Sequence, residues 1–257
     1  VISSESEARI RAAMVPGLAC TIASGRDMAH IMPYIDQLGW KSVPLIAEQG
    51  AVIVDPASGR VLMERTISRD IVAATLHALQ ASPIPINIIL YGRETPRVFR
   101  NAARPVSVGN AGTDRRDDRL PSVLEMKEVV AGDVRKVSIK CLPEDLDAVR
   151  ELLLGRLGSQ ANIVKADVNF INIMDAGVSK GMALQWLLEY LGIPAADAMA
   201  VGDCEADQSM FSVAGVSVAV ANADEQTLAM ARYVVPSNNE QGAAVALENF
   251  AGGRFRC

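Results

Sequence analysis

Aromatic residues are scarce in this 257-residue chain: Phe, Trp and Tyr together make up 4% of it, while 50% is hydrophobic. The core must therefore be aliphatic, built from Ala, Val, Leu and Ile, and so large an apolar share excludes a disordered chain. Positive charge is in deficit, with 25 Lys and Arg against 30 Asp and Glu and a formal net charge of −5. That excludes the broad positive field that nucleic-acid backbones and anionic membrane surfaces require, and favours small-molecule partners. The four cysteines, Cys20, Cys141, Cys204 and Cys257, stand far apart, with no C-x-x-C pair. There is no histidine cluster either, so a reducing cytoplasm is expected. The only histidines, His30 and His77, fall on predicted helices without a nearby partner and read as core or surface residues. No apolar run approaches the roughly 18 residues that span a bilayer. The opening residues VISSESEARIR are polar and acidic where a signal peptide would be basic and then apolar.

The length suits one large α/β domain or a core domain carrying an insertion. A helix is predicted over 4–14, a short buried strand over 18–23, and a second helix from "DMAHIMPYIDQLG", interrupted at Pro33. A strand, a turn at Gln49–Gly50 and a further strand follow in "VPLIAEQGAVIVD", and "DPASGRVLMER" reads as a hairpin returning through Ser58–Gly59. From about residue 66 the texture changes. Strands at "PINIILYG", "DVRKVSIKC" and "ANIVKADVNFINIM" mix with helices at "SRDIVAATLHALQAS" and "PEDLDAVRELLLGRL", which predicts an α+β unit with an antiparallel sheet. The mixed-charge run "DRRDDR" at 114–119 reads as a solvated loop. After Asp175 strands and helices alternate: helix 180–191, strand 198–202, helix 207–214, strand 216–220, helix 224–231, strand 233–235 and helix 241–249. Such alternation predicts a parallel sheet. The expected fold class is α/β: a doubly wound core from 1–65 and 175–257, interrupted by an α+β cap domain over 66–174.

In an open parallel sheet, ligands bind where strand carboxyl ends meet the following loops, and several polar residues stand at such ends. Ser24 and Gly25 follow "LACTIA", where a hydroxyl and backbone N–H groups can hold an oxyanion. Asp203 follows the apolar run "AMAV" and Asp207 begins the next helix, a carboxylate pair suited to Mg²⁺, a hard ion that binds one or two carboxylates plus substrate phosphate. Lys180 stands in the first turn of a helix capped by Ser179, where a cation opposes the helix dipole. A phosphate in front of that helix would account for it. Taken singly, each has a structural reading: Ser24 as a helix cap, Lys180 as a solvated lysine, the aspartates as a turn residue and a cap. Arg26 is either a site residue or a helix-surface one, and Cys204 lies beside the aspartates with no base aimed at it.

Order and spacing together are more specific. "TIASGR", "VSKGMAL", "VGDCEADQSMF", "VAVANADEQTLAMARYVV" and "SNNEQGAAVAL" resemble the second, third and fourth motifs and the tail of the haloacid dehalogenase superfamily, in its Cof-type sugar-phosphatase-like branch. "AEQGAVIVDPASGRVLMER" resembles the hairpin before that branch's cap. The resemblance implies a Mg²⁺-dependent phosphatase of small phosphorylated metabolites, with sugar phosphates the leading class, working through an aspartyl-phosphate. It implies that Ser24 and Gly25 bind phosphoryl oxygens, that Lys180 neutralises phosphate and nucleophile, and that Asp203 holds Mg²⁺ with Asp207 in support. Asn222, in "ANADE", matches a position at the site's edge.

Two departures from that family's pattern stand out. Its first motif, a strand ending D-x-D-G-T, supplies nucleophile and general acid/base and should precede the helix at 4–14. No such motif occurs in the 257 residues, and it is expected upstream of Val1. The alternative is a non-catalytic relative that holds a phosphate ligand as a sensor or partner module. The second departure is Ala206, where the family usually places Asn.

Overall fold

A computed structural model describes residues 2–93, 97–100 and 133–255. The run at 114–119 lies outside the described residues. The chain divides into two compact units, Val1–Glu64 with Ser179–Cys257, and Arg65–Val178.

In the first unit, helix α1 (Ser4–Ala13) is capped by Ser3, whose side chain accepts from the Ser6 N–H. Helix α2 (Met28–Leu38) is capped by Asp27 and ends on left-handed Gly39. Pro33 does not interrupt α2 as expected. It lies on the exposed face, where the carbonyl of Ala29, deprived of its partner, turns to water. Strands β1 (Leu45–Ala47), β2 (Val52–Val54) and β3 (Val61–Glu64) form an antiparallel meander. Residues 18–23 do not form the expected buried strand. They contribute a parallel bridge, Ala23 to Ile46, with Ser24 N donating to Ile46 O and Ile46 N to Ile22 O, both at 2.9 Å. A buried strand is bonded along both edges, and among the described residues this segment is bonded along the Ile46 side alone. Its apolar side chains stay half-buried accordingly, apart from exposed Ala19.

The later part supplies helix α5 (Lys180–Leu191) and parallel strands β9 (Met199–Gly202), β10 (Val216–Val220) and β11 (Tyr233–Val235), in the order β11-β10-β9. Between and after them come helices α6 (Glu205–Phe211), α7 (Glu225–Met230) and α8 (Gly242–Ala251). Alternation along the strands puts helices on both faces of this sheet. Val216, Val218 and Val220 pack with Ala246 of α8, whereas Ala200 and Ala219 pack with Met210 and Phe211 of α6. Ala23 and Leu184 touch the apolar groups of both the meander and the parallel sheet. Arg9 of α1 forks onto Glu248 of α8, Nε to Oε1 at 2.8 Å and Nη2 to Oε2 at 2.7 Å.

The second unit is a five-stranded antiparallel sheet in the order β5-β4-β6-β8-β7. Its strands are β4 (Asn87–Gly92), β5 (Arg97–Arg100), β6 (Val134–Lys140), β7 (Ala161–Asp167) and β8 (Phe170–Asp175). Helices α3 (Arg69–Gln80) and α4 (Leu146–Leu157) pack on one face, against a core that includes Ile88, Val137, Ile139, Ile171 and Ile173. Register brings these side chains into rows, Ile88 beside Ile139 and Ile139 beside Ile171. The alternate positions carry Tyr91, Lys136, Ser138 and Asn172. Lys136 Nζ lies 3.8 Å from the Tyr91 ring centroid, and Ser138 Oγ donates to Asn172 Oδ1. Among the described residues no helix is long and apolar enough to cross a membrane.

Candidate functional site

The strand β9 ends on Gly202, and the reason for glycine is steric. A Cβ there would lie 2.3 Å from the Asp207 Cβ, so its absence lets the first turn of α6 fold back onto the strand end. Asp207 does not begin α6 as expected. The helix starts at Glu205, and Asp207 is its third residue. From that position its Oδ2 accepts from the backbone N–H groups of Asp203 at 3.0 Å and Cys204 at 3.4 Å, satisfying donors at the helix start as a capping-box carboxylate does.

Its other oxygen meets the lysine. Lys180 opens α5, whose cap Ser179 accepts from the Met182 N–H, and Lys180 Nζ donates to Asp207 Oδ1 at 2.6 Å. Both side chains are buried, Lys180 at 7% exposure and Asp207 at 5%, so Lys180 is not a solvated surface lysine. The helices approach closely because Gly181 has no Cβ. One would stand 2.2 Å from the Ser209 carbonyl oxygen, and Gly181 N instead donates to Ser209 Oγ at 3.0 Å. Burial alone would push the Asp207 carboxyl up. The Lys180 charge, its hydrogen bond and the Asp203 N–H outweigh burial and leave the carboxyl below its ordinary value. Asp203 moves the other way, raised first by desolvation and then by the neighbouring Asp207 carboxylate. Burial, followed by the Asp207 charge, pushes the Cys204 thiol up to about 12, which leaves it a neutral thiol at neutral pH.

Ligand atoms of Asp203, Cys204 and Asp207 lie within 4.8 Å of one another, with Asp203 exposed and Asp207 buried. Both Asp207 oxygens already accept hydrogen bonds, which leaves Asp203 as the better placed direct ligand. One or two carboxylates with water and phosphate completing the shell is a donor set that fits Mg²⁺. Ala206, where a hydrogen-bonding side chain was the family expectation, is buried.

Ser24 is not a helix cap. Asp27 caps α2, its Oδ1 accepting from His30 N at 3.0 Å, and Ser24 Oγ instead accepts from Arg26 N at 3.2 Å within the loop. His30, expected to lack a partner, has its Nδ1 2.6 Å from Asp27 Oδ1. Arg26 is exposed and bonds the Tyr34 hydroxyl of α2 at 3.2 Å. Asn222 follows β10, and its Oδ1 accepts from Asn238 N at 2.8 Å, tying two loops. The Asp203 carbonyl accepts from Asp224 N at 3.1 Å, so the loop after β10 also steadies the aspartate.

Sequence reasoning missed the part played by the turn between β1 and β2. Gln49 N donates to Ser24 O at 3.0 Å and Glu48 N to Arg26 O at 2.9 Å, while Gly50 rests on Ser179. The turn thus joins the Ser24 loop to the start of α5. Gly50 marked a turn in the sequence, but nothing in Glu48 or Gln49 signalled this use.

A family model described as haloacid dehalogenase-like hydrolase matches residues 1–247. Among curated relatives, the chain is 27% identical to the chloroplastic endoribonuclease YBEY of Arabidopsis thaliana, over 97% of this chain and 44% of that protein. It thus spans less than half the length of that relative. It is 29% identical to the HMP-PP phosphatase of Cronobacter sakazakii, over 83% of this chain and 75% of that one. Among solved structures, a phosphatase from Bacteroides thetaiotaomicron aligns with TM-score 0.77 and 24% identity, over 97% of this chain and 88% of that one. A subclass IIB sugar phosphatase aligns with TM-score 0.77 and 20% identity, over 97% and 92% respectively. These structural likenesses carry the α/β fold.

Proposed function

The chain belongs to the haloacid dehalogenase-like hydrolases, and on that premise we propose that it holds the phosphate and the metal for a cytoplasmic phosphatase of small phosphorylated metabolites, sugar phosphates first among them. The observation that carries this reading is the buried Lys180 cation 2.6 Å from Asp207, beside Asp203 at the carboxyl end of a parallel strand, where open α/β sheets form their ligand sites. Relatives named as phosphatases support it.

In this proposal Ser24 and the N–H of Gly25 bind phosphoryl oxygens, and Lys180 opposes the phosphate charge. Asp207 aims Lys180 and braces the Asp203 loop, while Asn222 keeps the loop at the site's edge in place. Asp203 would hold Mg²⁺, which when bound shields the charge on the phosphoryl group. The attacking carboxylate is an aspartate of a D-x-D motif sought upstream of Val1. It displaces the alcohol from phosphorus, an acid/base donates the proton to the leaving oxygen, and water then hydrolyses the aspartyl-phosphate. The Arg65–Val178 unit is proposed as the cap that selects the substrate.

A second reading is a non-catalytic module that binds a phosphate ligand, and under both readings Asp27, Asp55 and Asp175 serve local caps and turns rather than attack. Asp27 caps α2, Asp55 accepts from Ala57 N and Ser58 Oγ in the hairpin, and Asp175 accepts from Gly177 N. Mg²⁺-dependent release of phosphate from an aryl phosphate by the complete protein separates the two. Turnover supports the phosphatase; none, with Mg²⁺ demonstrably bound, leaves the binding module. Robust turnover by residues 1–257 alone would overturn the assignment of the nucleophile.

A further inference from the structure

Glu48, Gln49 and Gly50 follow β1 with φ of 51°, 62° and 96°. Left-handed backbone suits glycine and is unfavourable for the two residues before it. Gly50 has a further reason to lack a side chain, since a Cβ would come 2.2 Å from the Ser179 carbonyl oxygen. For Gln49 no such fit applies, because Asn, Asp or Gly takes that backbone more readily. Gln49 is also only 3% exposed, and its Oε1 is buried without a hydrogen-bond partner among the described residues. Buried acceptors are nearly always satisfied. A strained backbone and an unsatisfied amide therefore coincide in one residue, and both oppose folding. Residues retained under such strain gather where geometry is used.

The place of the turn says what geometry that is. Two backbone hydrogen bonds, Gln49 N to Ser24 O and Glu48 N to Arg26 O, fix the loop of Ser24. On its other side the turn abuts Ser179, the cap of the helix that opens with Lys180. It is a wedge between the two groups read as holding phosphate.

We infer that Gln49 is a positioning residue of the phosphate site, setting the Ser24 loop against the Lys180 helix through its left-handed turn. The inference rests on the phosphate-holding roles given to Ser24 and Lys180 above. Gln49→Gly removes both the strain and the unsatisfied amide while freeing the turn; Gln49→Asn keeps an amide and tolerates the same backbone.

The test measures Tm and the binding of inorganic phosphate, in the presence of Mg²⁺, by titration calorimetry on the unmodified chain and both variants. Gln49→Gly is expected to raise Tm yet weaken phosphate binding by about fivefold or more, as a loosened supporting shell does. Gln49→Asn is expected to bind phosphate much as the unmodified chain does. A Gln49→Gly chain that binds phosphate unchanged overturns the inference alone, and so does one whose Tm falls, which would make the turn a structural element only. No phosphate binding by the unmodified chain overturns the roles of Ser24 and Lys180 and this inference with them.

Discussion

Lys180 and Asp207 form a buried ion pair, Nζ to Oδ1 at 2.6 Å, between the first turns of two successive helices. Removing one member of such a pair leaves the other charged and unpaired. Lys180→Met is expected to destabilise the chain by about 3–5 kcal/mol in urea unfolding. Adding Asp207→Asn to it removes the stranded charge, so the double variant should be more stable than Lys180→Met alone. A double variant no more stable than the single one would mean that the pair is not coupled.

Asp203 and Asp207 should separate in their dependence on Mg²⁺. Asp203→Asn removes the exposed carboxylate and is expected to weaken Mg²⁺ binding at least as much as loss of a partner behind a ligand does, about tenfold or more. Asp207→Asn leaves that ligand in place and should affect stability more than Mg²⁺ affinity, because its two oxygens serve Lys180 and the backbone. Titration calorimetry with Mg²⁺ reads both, and equal losses would show that both carboxylates coordinate.

Gly202→Ala should act on the site without removing any of its polar groups. The new Cβ would stand 2.3 Å from that of Asp207, so α6 has to shift. The expected loss is about 1–3 kcal/mol for forced overpacking, with weakened Mg²⁺ binding. An unchanged Tm would show that α6 yields freely.

Cys20, Cys141 and Cys204 are free thiols, pushed by burial to about 11, 11 and 12. A thiol is nucleophilic only as thiolate. In the folded chain at pH 8 all three should alkylate far more slowly than in urea, and faster as pH rises towards those values. Peptide mass spectrometry after timed iodoacetamide treatment reads each one; rapid labelling of Cys204 in the folded state would contradict its burial.

Pro33→Ala should stabilise. It restores a donor for the exposed Ala29 carbonyl and removes the proline from the helix interior, a gain of about 1–2 kcal/mol once the freer unfolded chain is allowed for. The urea midpoint measures it, and a fall would show that the proline's φ is needed for α2.

The elements that the residues announced are those whose local signals agree. α5 has its Ser179 cap, an apolar interior and left-handed Gly192 at its end, and β10 and β11 are apolar runs with the expected bounds. The hairpin through Ser58–Gly59 is there as read, with Gly59 at φ 72°. Where tertiary context decides, the residues are silent. "LACTIA" has the composition of a strand, but strand pairing depends on neighbours far along the chain, and among the described residues its single bridge is Ala23 to Ile46. α6 begins earlier than its apolar pattern suggests because Asp207 caps from inside the helix. Asp203, Lys180 and Asp207 were visible as chemistry at strand and helix ends. That Lys180 answers Asp207 was not, since no local pattern reports a contact between residues 27 apart. Glu48 and Gln49 were invisible for another reason: neither residue type favours the backbone it adopts.

The fork of Arg9 onto Glu248 has a kinetic meaning. It joins helices separated by nearly the whole chain, with the Arg65–Val178 unit lying between them in sequence. Contacts of such separation are late to form, because a long loop must close before they stabilise anything. During synthesis residues 1–64 emerge before α5, whose Ala183 and Leu187 pack with Ile46 and Ile53 of the meander, and before α8, whose Ala244 packs with Ile10 and Leu38. Over that interval their apolar surfaces are open to wrong associations, and Ile10 and Leu38 stay uncovered until Ala244 of α8 is made.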